Sequence, residues 1–354
     1  MSCFFSLQNR LLPIESSNGF QLPDHWVWDG SIIQDEDGRW HMFASRWPKS
    51  LAMHPGWLFG SEVVRAASDS ATGPYHFEEV VFEPRDVGFF DSRMTHNPSI
   101  RKAGDTYLLF YIGCTWFQEM DFTSPFFTQE NPEWFHDPWT REVYSHMRIG
   151  LATSKSLYGP WERRDEPILE VSPAGWDKGT LVNPSPFVME SGEIYMAYAS
   201  SHPVGQTDAA NSNIGIAYAS DFTKPFKPLS QNPCFSMPDQ EAYWFEDPFL
   251  WHDQAGFHLI MKDMMKSKTQ EQDAGVFAWS PDAVHWTWGD PPEAYSRKVQ
   301  IEGLEEELGQ VERPQLIFEG EGKRPSYFTA ACAKSEGLLS GVSDTWVRVF
   351  PLKK

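Results

Sequence analysis

Glu241-Ala-Tyr-Trp-Phe-Glu-Asp-Pro-Phe-Leu-Trp251, continued by His252-Asp-Gln-Ala-Gly-Phe-His-Leu-Ile-Met261, is the stretch on which the fold turns. Its Glu246-Asp247-Pro248 triplet heads an apolar run, Gly256 marks a turn, and a second apolar run follows. Two such runs about a glycine turn predict a β-hairpin with an acidic pair at its mouth. Four further segments share this plan of polar head, apolar run, Gly-containing turn and aromatic-rich run. They begin at Trp28-Asp-Gly-Ser-Ile-Ile33, His96-Asn-Pro-Ser-Ile100, Val182-Asn-Pro-Ser-Pro-Phe-Val188 and Glu312-Arg-Pro-Gln-Leu-Ile-Phe318. The heads fall at Asp29, Asn97, Asn183, Asp247 and Arg313, with gaps of 68, 86, 64 and 66 residues.

A third apolar run follows most of the hairpins, at Glu62–Ala67, Arg148–Thr153, Asn213–Ala219 and Gly275–Trp279. After it come Gly73-Pro-Tyr75, Gly159-Pro-Trp161, Lys224-Pro-Phe226 and His285-Trp286, each starting a fourth short strand. Self-similarity at this period is the signature of a repeat architecture. The expected fold is all-β: a five-bladed β-propeller with four antiparallel strands per blade, a single domain over residues 1–354. Thr345–Phe350 is placed to close the ring with Gly19–Leu22. Residues 114–147 break the pattern as an aromatic-rich insertion, read as a packed loop over the site or a dimer contact. The surface turn Lys334–Ser343 and one short helical turn at Glu302–Leu308 complete the reading.

A net charge of −20 and a pI near 4.9 argue against nucleic acid and against an anionic membrane surface. No apolar run approaches the ~18 residues of a membrane span. Cys3, Cys114, Cys234 and Cys332 are scattered, so neither a disulfide framework nor a zinc site is expected. The first 13 residues lack a basic n-region and a sustained apolar h-region, so a cytoplasmic location is the expectation. Sixteen Trp exceed ordinary core filling, and flat faces with a polar handle suit stacking on sugar rings.

Rotational repetition would bring the five heads to one mouth, gathering Asp29, His96, Asn97, Asn183, Glu246, Asp247, Glu312 and Arg313 around a pocket. Like charges crowded together split their pKa values, which marks a site rather than scaffolding. Two carboxylates across a funnel are what glycosidic cleavage requires: one protonates the leaving oxygen, the other activates water or attacks. Blander roles compete. Asp29 can cap its own turn, Glu312-Arg313 can be a plain ion pair, and His96 can be a core residue, an ion ligand or a substrate contact. Asp35-Glu-Asp-Gly38 resembles half a calcium loop and reads better as a hairpin turn. Asp91 and Arg93 suggest a rim pair. Trp28 and Trp244 are stacking candidates, whereas Trp251 by strand alternation packs between blades.

The repeated hairpins, the acidic first head, Arg148-Ile-Gly-Leu-Ala-Thr-Ser-Lys-Ser-Leu-Tyr-Gly-Pro-Trp161 and the fourth-copy Glu-x-Pro resemble the five-bladed propeller glycoside hydrolases. The similarity is to family 43 and relatives such as family 117, over roughly residues 25 to 333. The resemblance implies Asp29 as general base, Glu246 as general acid and an inverting reaction. Its third-blade Asp falls on Asn183, a departure that leaves Asp247 or Asn183 itself to orient the acid. The expected substrate is a small carbohydrate bound by Trp28, His96, Asn97, Asn183, Trp244, Glu312 and Arg313. No cofactor or metal is expected, although an axial ion and self-association are compatible with the pattern. Two alternatives stand. A glycoside phosphorylase needs a basic phosphate pocket, to which Arg313, Arg93 and His96 could contribute. A non-catalytic sugar-binding propeller would suit the Asn at the third head.

Overall fold

The computed structural model describes residues 5–83, 85–130, 134–201, 211–237, 239, 242–319, 324–335 and 341–353. The chain is all-β, with short helical segments confined to the insertions and the N-terminus. The first unit is a four-stranded antiparallel sheet of β1 (His25–Gln34), β2 (Trp40–Pro48), β3 (Glu62–Ser68) and β4 (His76–Val80). The second repeats it with β5 (Met94–Ala103), β6 (Thr106–Cys114), β7 (Arg148–Ser154) and the short β8 (Glu162–Arg163). In the third and fourth, β9 (Val182–Val188), β10 (Ile194–Ser201), β11 (Asn211–Ala219) and β12 (Lys227–Pro228) precede β13 (Tyr243–Asp253), β14 (Gly256–Asp263), β15 (Ala274–Ser280) and β16 (Thr287–Tyr295). These eight strands form one sheet, because Asn211 and Ser212 pair in parallel with Tyr243 and Trp244.

A hairpin of β17 (Lys298–Ile301) and β18 (Leu304–Glu307) stands where a helical turn was expected at Glu302–Leu308. Glu302 and Gly303, at φ 52° and 75°, make the two-residue left-handed turn that hairpins favour, so the chain reverses instead of coiling. The last unit has β19 (Gln310–Phe318), β20 (Pro325–Ser335) and β21 (Val342–Pro351). As anticipated, the N-terminal segment joins it: Phe20 and Val347 exchange backbone hydrogen bonds of 2.8 and 2.9 Å. Cys3, the turn at 320–322 and residues 336–340 of the 334–343 turn lie outside the described residues.

Burial follows the repeat. One apolar cluster joins Phe43 and Val63 to Ile100 and Leu109, and the next joins Phe110 and Leu151 to Met196 and Tyr198. A third joins Ile214 and Ile216 to Phe245 and Leu259. Trp251 and Phe277 then meet Phe328 and Phe350, while Val349 and Ile317 meet Val27 and Met42. Each unit is therefore cemented to the next, and the last to the first. Every large apolar side chain so buried contributes roughly 1.5–3 kcal/mol. The first strands follow the same cycle: β1 packs on β5, β5 on β9, β9 on β13, β13 on β19 and β19 on β1. Trp251 is buried in the fourth cluster, stacked on His258, as its alternation suggested.

Two insertions lie over the ends of the first strands. Met53–Gly60, between β2 and β3, is a short helical segment interrupted by extended backbone at His54. Residues 115–147, expected to be irregular, carry a helix at Pro138–Ser145 whose Asp137 side chain caps the Trp139 amide. The two insertions bond through Ala52 N to Phe127 O (2.7 Å) and Met53 N to Glu130 Oε1 (2.8 Å). Phe59 packs edge-on against Phe127. Among the described residues no helix is long and apolar enough to cross a membrane.

Candidate active site

Each first strand loses register with its partner at its head, next to Asp29, Asn97, Asn183, Asp247 and Arg313. All five residues have left-handed backbone, with φ between 52° and 63°. Pro follows four of them and Gly30 the first. Proline has no N–H for the ladder, so pairing fails there and a bulge results. The bulge separates neighbouring side chains into two tiers. Trp28, His96, Val182, Glu246 and Glu312, the residues before each break, all line one cavity of about 350 Å³. The left-handed residues form the floor beneath it.

The floor is a continuous buried network. Asn97 Nδ2 and N donate to the two oxygens of Asp29 at 2.6 and 3.1 Å, and the Ser45 hydroxyl donates to Oδ2. His96 Nε2 lies 3.4 Å from Oδ2. Arg313 spans two carboxylates, with Nε 3.0 Å from Asp29 Oδ1 and Nη1 3.0 Å from Asp247 Oδ1. Its backbone N–H donates to Asp247 Oδ2 (3.0 Å), and Asn183 Nδ2 donates to Oδ1. Asp29 has no exposed surface and does not line the cavity; Asn97, Asn183, Asp247 and Arg313 do. Burial pushes the Asp29 carboxyl up, but His96, Arg313 and the Ser45 and Asn97 hydrogen bonds outweigh it and hold it below the usual range.

The wall carries the other carboxylates. Lys262, almost wholly buried on β14 opposite Glu246, holds its Nζ 3.5 Å from Glu246 Oε1 and 3.2 Å from Asp273 Oδ1, and donates to Glu312 Oε1. Trp244 Nε1 donates to Glu246 Oε2 (3.0 Å). Glu246 and Glu312 keep 24% and 14% of their side-chain surface, so both are open to the cavity. One ammonium cannot neutralise three carboxylates. Burial and the charge of Asp247 raise Glu246 above the usual carboxylate range against the pull of Lys262. Glu312 is pushed up to about 8 by burial, also against Lys262, with Asp247 and Glu246 adding to the rise. Glu312 so placed retains a proton near neutrality, and both raised carboxyls face the cavity where a bound ligand would meet them.

Above the wall, the insertions supply Met53, His54, Trp57, Trp134, Tyr144 and Met147. Trp57 lies 5.0 Å from the His96 ring and 5.8 Å from Tyr144, and His54 stacks on Trp134 at 5.3 Å. With Trp28, Trp47 and Trp244, aromatic faces surround the carboxylates.

Every residue expected to bind substrate therefore lines the cavity, together with Glu246 and Asp247. His96 Nδ1 is hydrogen-bonded to the Ser61 hydroxyl (2.7 Å) and Nε2 lies 3.4 Å from Asp29 Oδ2, while the residue lines the cavity. The expected Asp91–Arg93 rim pair does not form. Asp91 is buried on Arg85 and Tyr111, and Arg93 Nε donates to the Trp116 carbonyl (3.3 Å). Asp35 is a hairpin cap, accepting from the amides of Asp37 and Arg39 and from His41. Cys114, Cys234 and Cys332 are unpaired. Among the described residues no three His, Cys, Asp or Glu side chains are grouped to hold a metal ion. Sequence reasoning missed Lys262, Trp47, His54 and Trp57. A lysine closing the apolar run Phe257–Met261 was a signal that could have found the first.

No protein-family model matches the chain, and no curated sequence matches it. Solved structures do. BT0996, in an RGII complex, superposes with a TM-score of 0.67 at 15% identity, covering 98% of this chain and 93% of that one. A family 117 glycoside hydrolase produced by the marine bacterium Zobellia galactanivorans gives 0.61 at 13%, covering 99% and 89%. A thermostable family-43 glycoside hydrolase gives 0.55 at 11%, covering 98% and 96%. Over nearly its whole length, the chain shares its fold with glycoside hydrolases of the two families that its sequence resembles.

Proposed function

We propose that this protein is a five-bladed β-propeller glycoside hydrolase that cleaves a small glycoside or oligosaccharide. The five-fold cycle of first strands and of inter-unit cores supports the architecture. The chemistry rests on one observation: Glu246 and Glu312, from adjacent units, enter a single aromatic-lined cavity around a shared Lys262. Glu246 is the general acid. Burial raises its pKa above the usual carboxylate range, the direction a general acid needs, and Trp244 fixes its second oxygen. Glu312 is the partner carboxylate, and because its pKa is pushed up to about 8 its ionised, reactive fraction grows as pH rises toward that value. Both oxygens contact one ammonium, so the pair suits the ~5–5.5 Å separation of a retaining enzyme better than the ~6.5–9.5 Å of an inverting one. The reaction as proposed uses no cofactor.

A second reading, implied by the family resemblance, has Asp29 as base with inversion. Its support is that Asp29 is held ionised. To take a proton from water it has to shed His96, its longest contact. Phosphorolysis has less support, because Arg313 is clamped between Asp29 and Asp247 and Arg93 points at a backbone carbonyl.

Aryl glycosides and short oligosaccharides provide the test. Glu246→Gln and Glu312→Gln are each expected to lower kcat/KM roughly 10²–10⁴-fold while ligand binding survives, with turnover indifferent to phosphate. NMR of the first-formed anomer separates the two readings: retention for Glu246 with Glu312, inversion for Glu246 with Asp29. A Glu246→Gln protein of undiminished turnover removes the acid, and a wild-type protein that binds sugars without cleaving them is a lectin.

A further inference from the structure

Most polar groups of the cavity wall are engaged within the protein. Both His96 nitrogens, the Trp244 indole N–H, Glu246, Glu312 and Arg313 have the partners described above. Beyond Arg313 Nε, which is held by its ion pair to Asp29 alone, two nitrogens do not. Among the described residues, Trp47 Nε1 and His54 Nδ1 are buried without a hydrogen-bond partner, on residues only 1% and 8% exposed that both line the cavity. They belong to one structural piece, the end of β2 and the helical segment that follows it. Trp47 Nε1 runs beside Gly56, two residues from His54, where a Cβ would lie 3.4 Å from it. Buried donors and acceptors in folded proteins are nearly always paired, and an exception needs an explanation. Two exceptions from one segment, both on residues lining a ligand-sized cavity, point to a ligand as the partner.

We propose that Trp47 Nε1 and the His54 imidazole form a hydrogen-bonding station for one hydroxyl of the bound sugar, and so decide which sugar the cavity accepts. This rests on the carbohydrate reading above. The chemistry of the two groups selects a hydroxyl. The indole N–H only donates, whereas a neutral imidazole has one accepting nitrogen. A hydroxyl accepts from the first and donates to the second, which a carboxylate or an ammonium cannot do. Burial, with Lys262 nearby, lowers His54 to about 4, so the ring is neutral at ordinary pH. Its stacking on Trp134 holds the ring plane, fixing the direction in which the nitrogens point. A site built to pair a hydroxyl discriminates strongly against analogues that lack it, because its own groups are then left unpaired.

The test uses the full chain carrying Glu246→Gln, so that bound sugar is not turned over. Its probes are methyl glycosides of the common pentoses and hexoses and their monodeoxy derivatives, followed by tryptophan fluorescence. For the best-bound glycoside, His54→Phe and Trp47→Phe are each expected to weaken binding about tenfold. Removing one particular ligand hydroxyl should cost the Glu246→Gln protein the same factor, and the Phe variants should no longer distinguish that deoxy derivative from its parent. His54→Gln, which keeps a donor and an acceptor, should retain part of the discrimination. Should a Phe variant fail to fold, as judged by its thermal transition, His54→Gln on the same panel decides. Unchanged affinities overturn the proposal, and so does an equal loss for every derivative. If no sugar binds even with Trp47 and His54 intact, the carbohydrate reading itself fails, an outcome distinct from failure of this contact.

Discussion

Lys262 is the charge on which the wall depends, and Lys262→Met isolates it. Methionine matches the length and apolar stem of the lysine but leaves Glu246, Asp273 and Glu312 without their common ammonium. Removing one partner from a buried ion pair costs roughly 3–5 kcal/mol, because the remaining charge is left uncompensated. At about 2.1 cal/mol/K of unfolding entropy per residue over 354 residues, that lowers Tm by roughly 4–7 °C. The pH dependence is more diagnostic than the size. Lys262 pulls the Glu246 and Glu312 pKa values down, so its loss raises them further above their unfolded values. A group whose folded pKa is raised stabilises the fold fully below its unfolded pKa, near 4.5, and that stabilisation is lost as pH rises through the folded value, about 8 for wild-type Glu312. The deficit of the variant should therefore be small at pH 4.5, clear at pH 8 and still growing above it, where wild-type Glu312 ionises and the variant's does not. Differential scanning calorimetry of both proteins at those pH values measures it. An equal deficit at both, or none at pH 8, would show that the three carboxylates do not depend on this ammonium.

Two further substitutions probe the floor. Asn183→Asp restores the residue usual in the resembling family but replaces the N–H that Asn183 gives Asp247 with a second carboxylate; expected is a loss of roughly 1–3 kcal/mol at pH 7, relieved on acidification, read from denaturant midpoints. Asp29→Asn removes a carboxylate whose folded pKa is depressed, so its stabilisation is present above about pH 3.9 and lost as pH falls through the folded value. The variant should be less stable than wild type at pH 7, and the gap should close in acid.

The β-hairpin repeat was legible because strand pairing and turn chemistry are local. An apolar run, a glycine turn and an Asx-Pro head carry their meaning within about 20 residues, five times over. The convergence of Asp29, Asn97, Asn183, Asp247 and Arg313 followed from repetition alone. Their division between floor and wall did not. Regular alternation would send Glu246 and Asp247 to opposite faces of a strand, but the bulge at Pro248 re-aims both toward the site, one into the cavity and one beneath it. For the same reason Asp29 looked like an open carboxylate and is sealed. The roof was illegible for another reason: Met53–Gly60 is apolar on nearly every residue, so no helical stripe stands out until Phe59 and Trp57 are seen packed on the second insertion.

The left-handed heads also explain why the floor and the wall can serve different ends. A non-glycine residue in that conformation costs about 1–3 kcal/mol unless its surroundings impose it. Asn and Asp tolerate it best, and four of the five heads are Asn or Asp. Arg313 has no such tolerance, and it is held by its backbone N–H and its guanidinium to Asp247 and by its guanidinium to Asp29 as well. The floor's charge network thus offsets the strain that its own geometry imposes, which leaves it little freedom to vary or to move. The wall residues bear no such strain, and their side chains differ from unit to unit: Trp28, His96, Val182, Glu246 and Glu312. Acidic chemistry is thereby confined to the two adjacent fourth and fifth units, with aromatic and apolar surface on the others. On the proposed reading, the tightly held floor would set where the reacting bond lies and the unstrained wall which ring is held there.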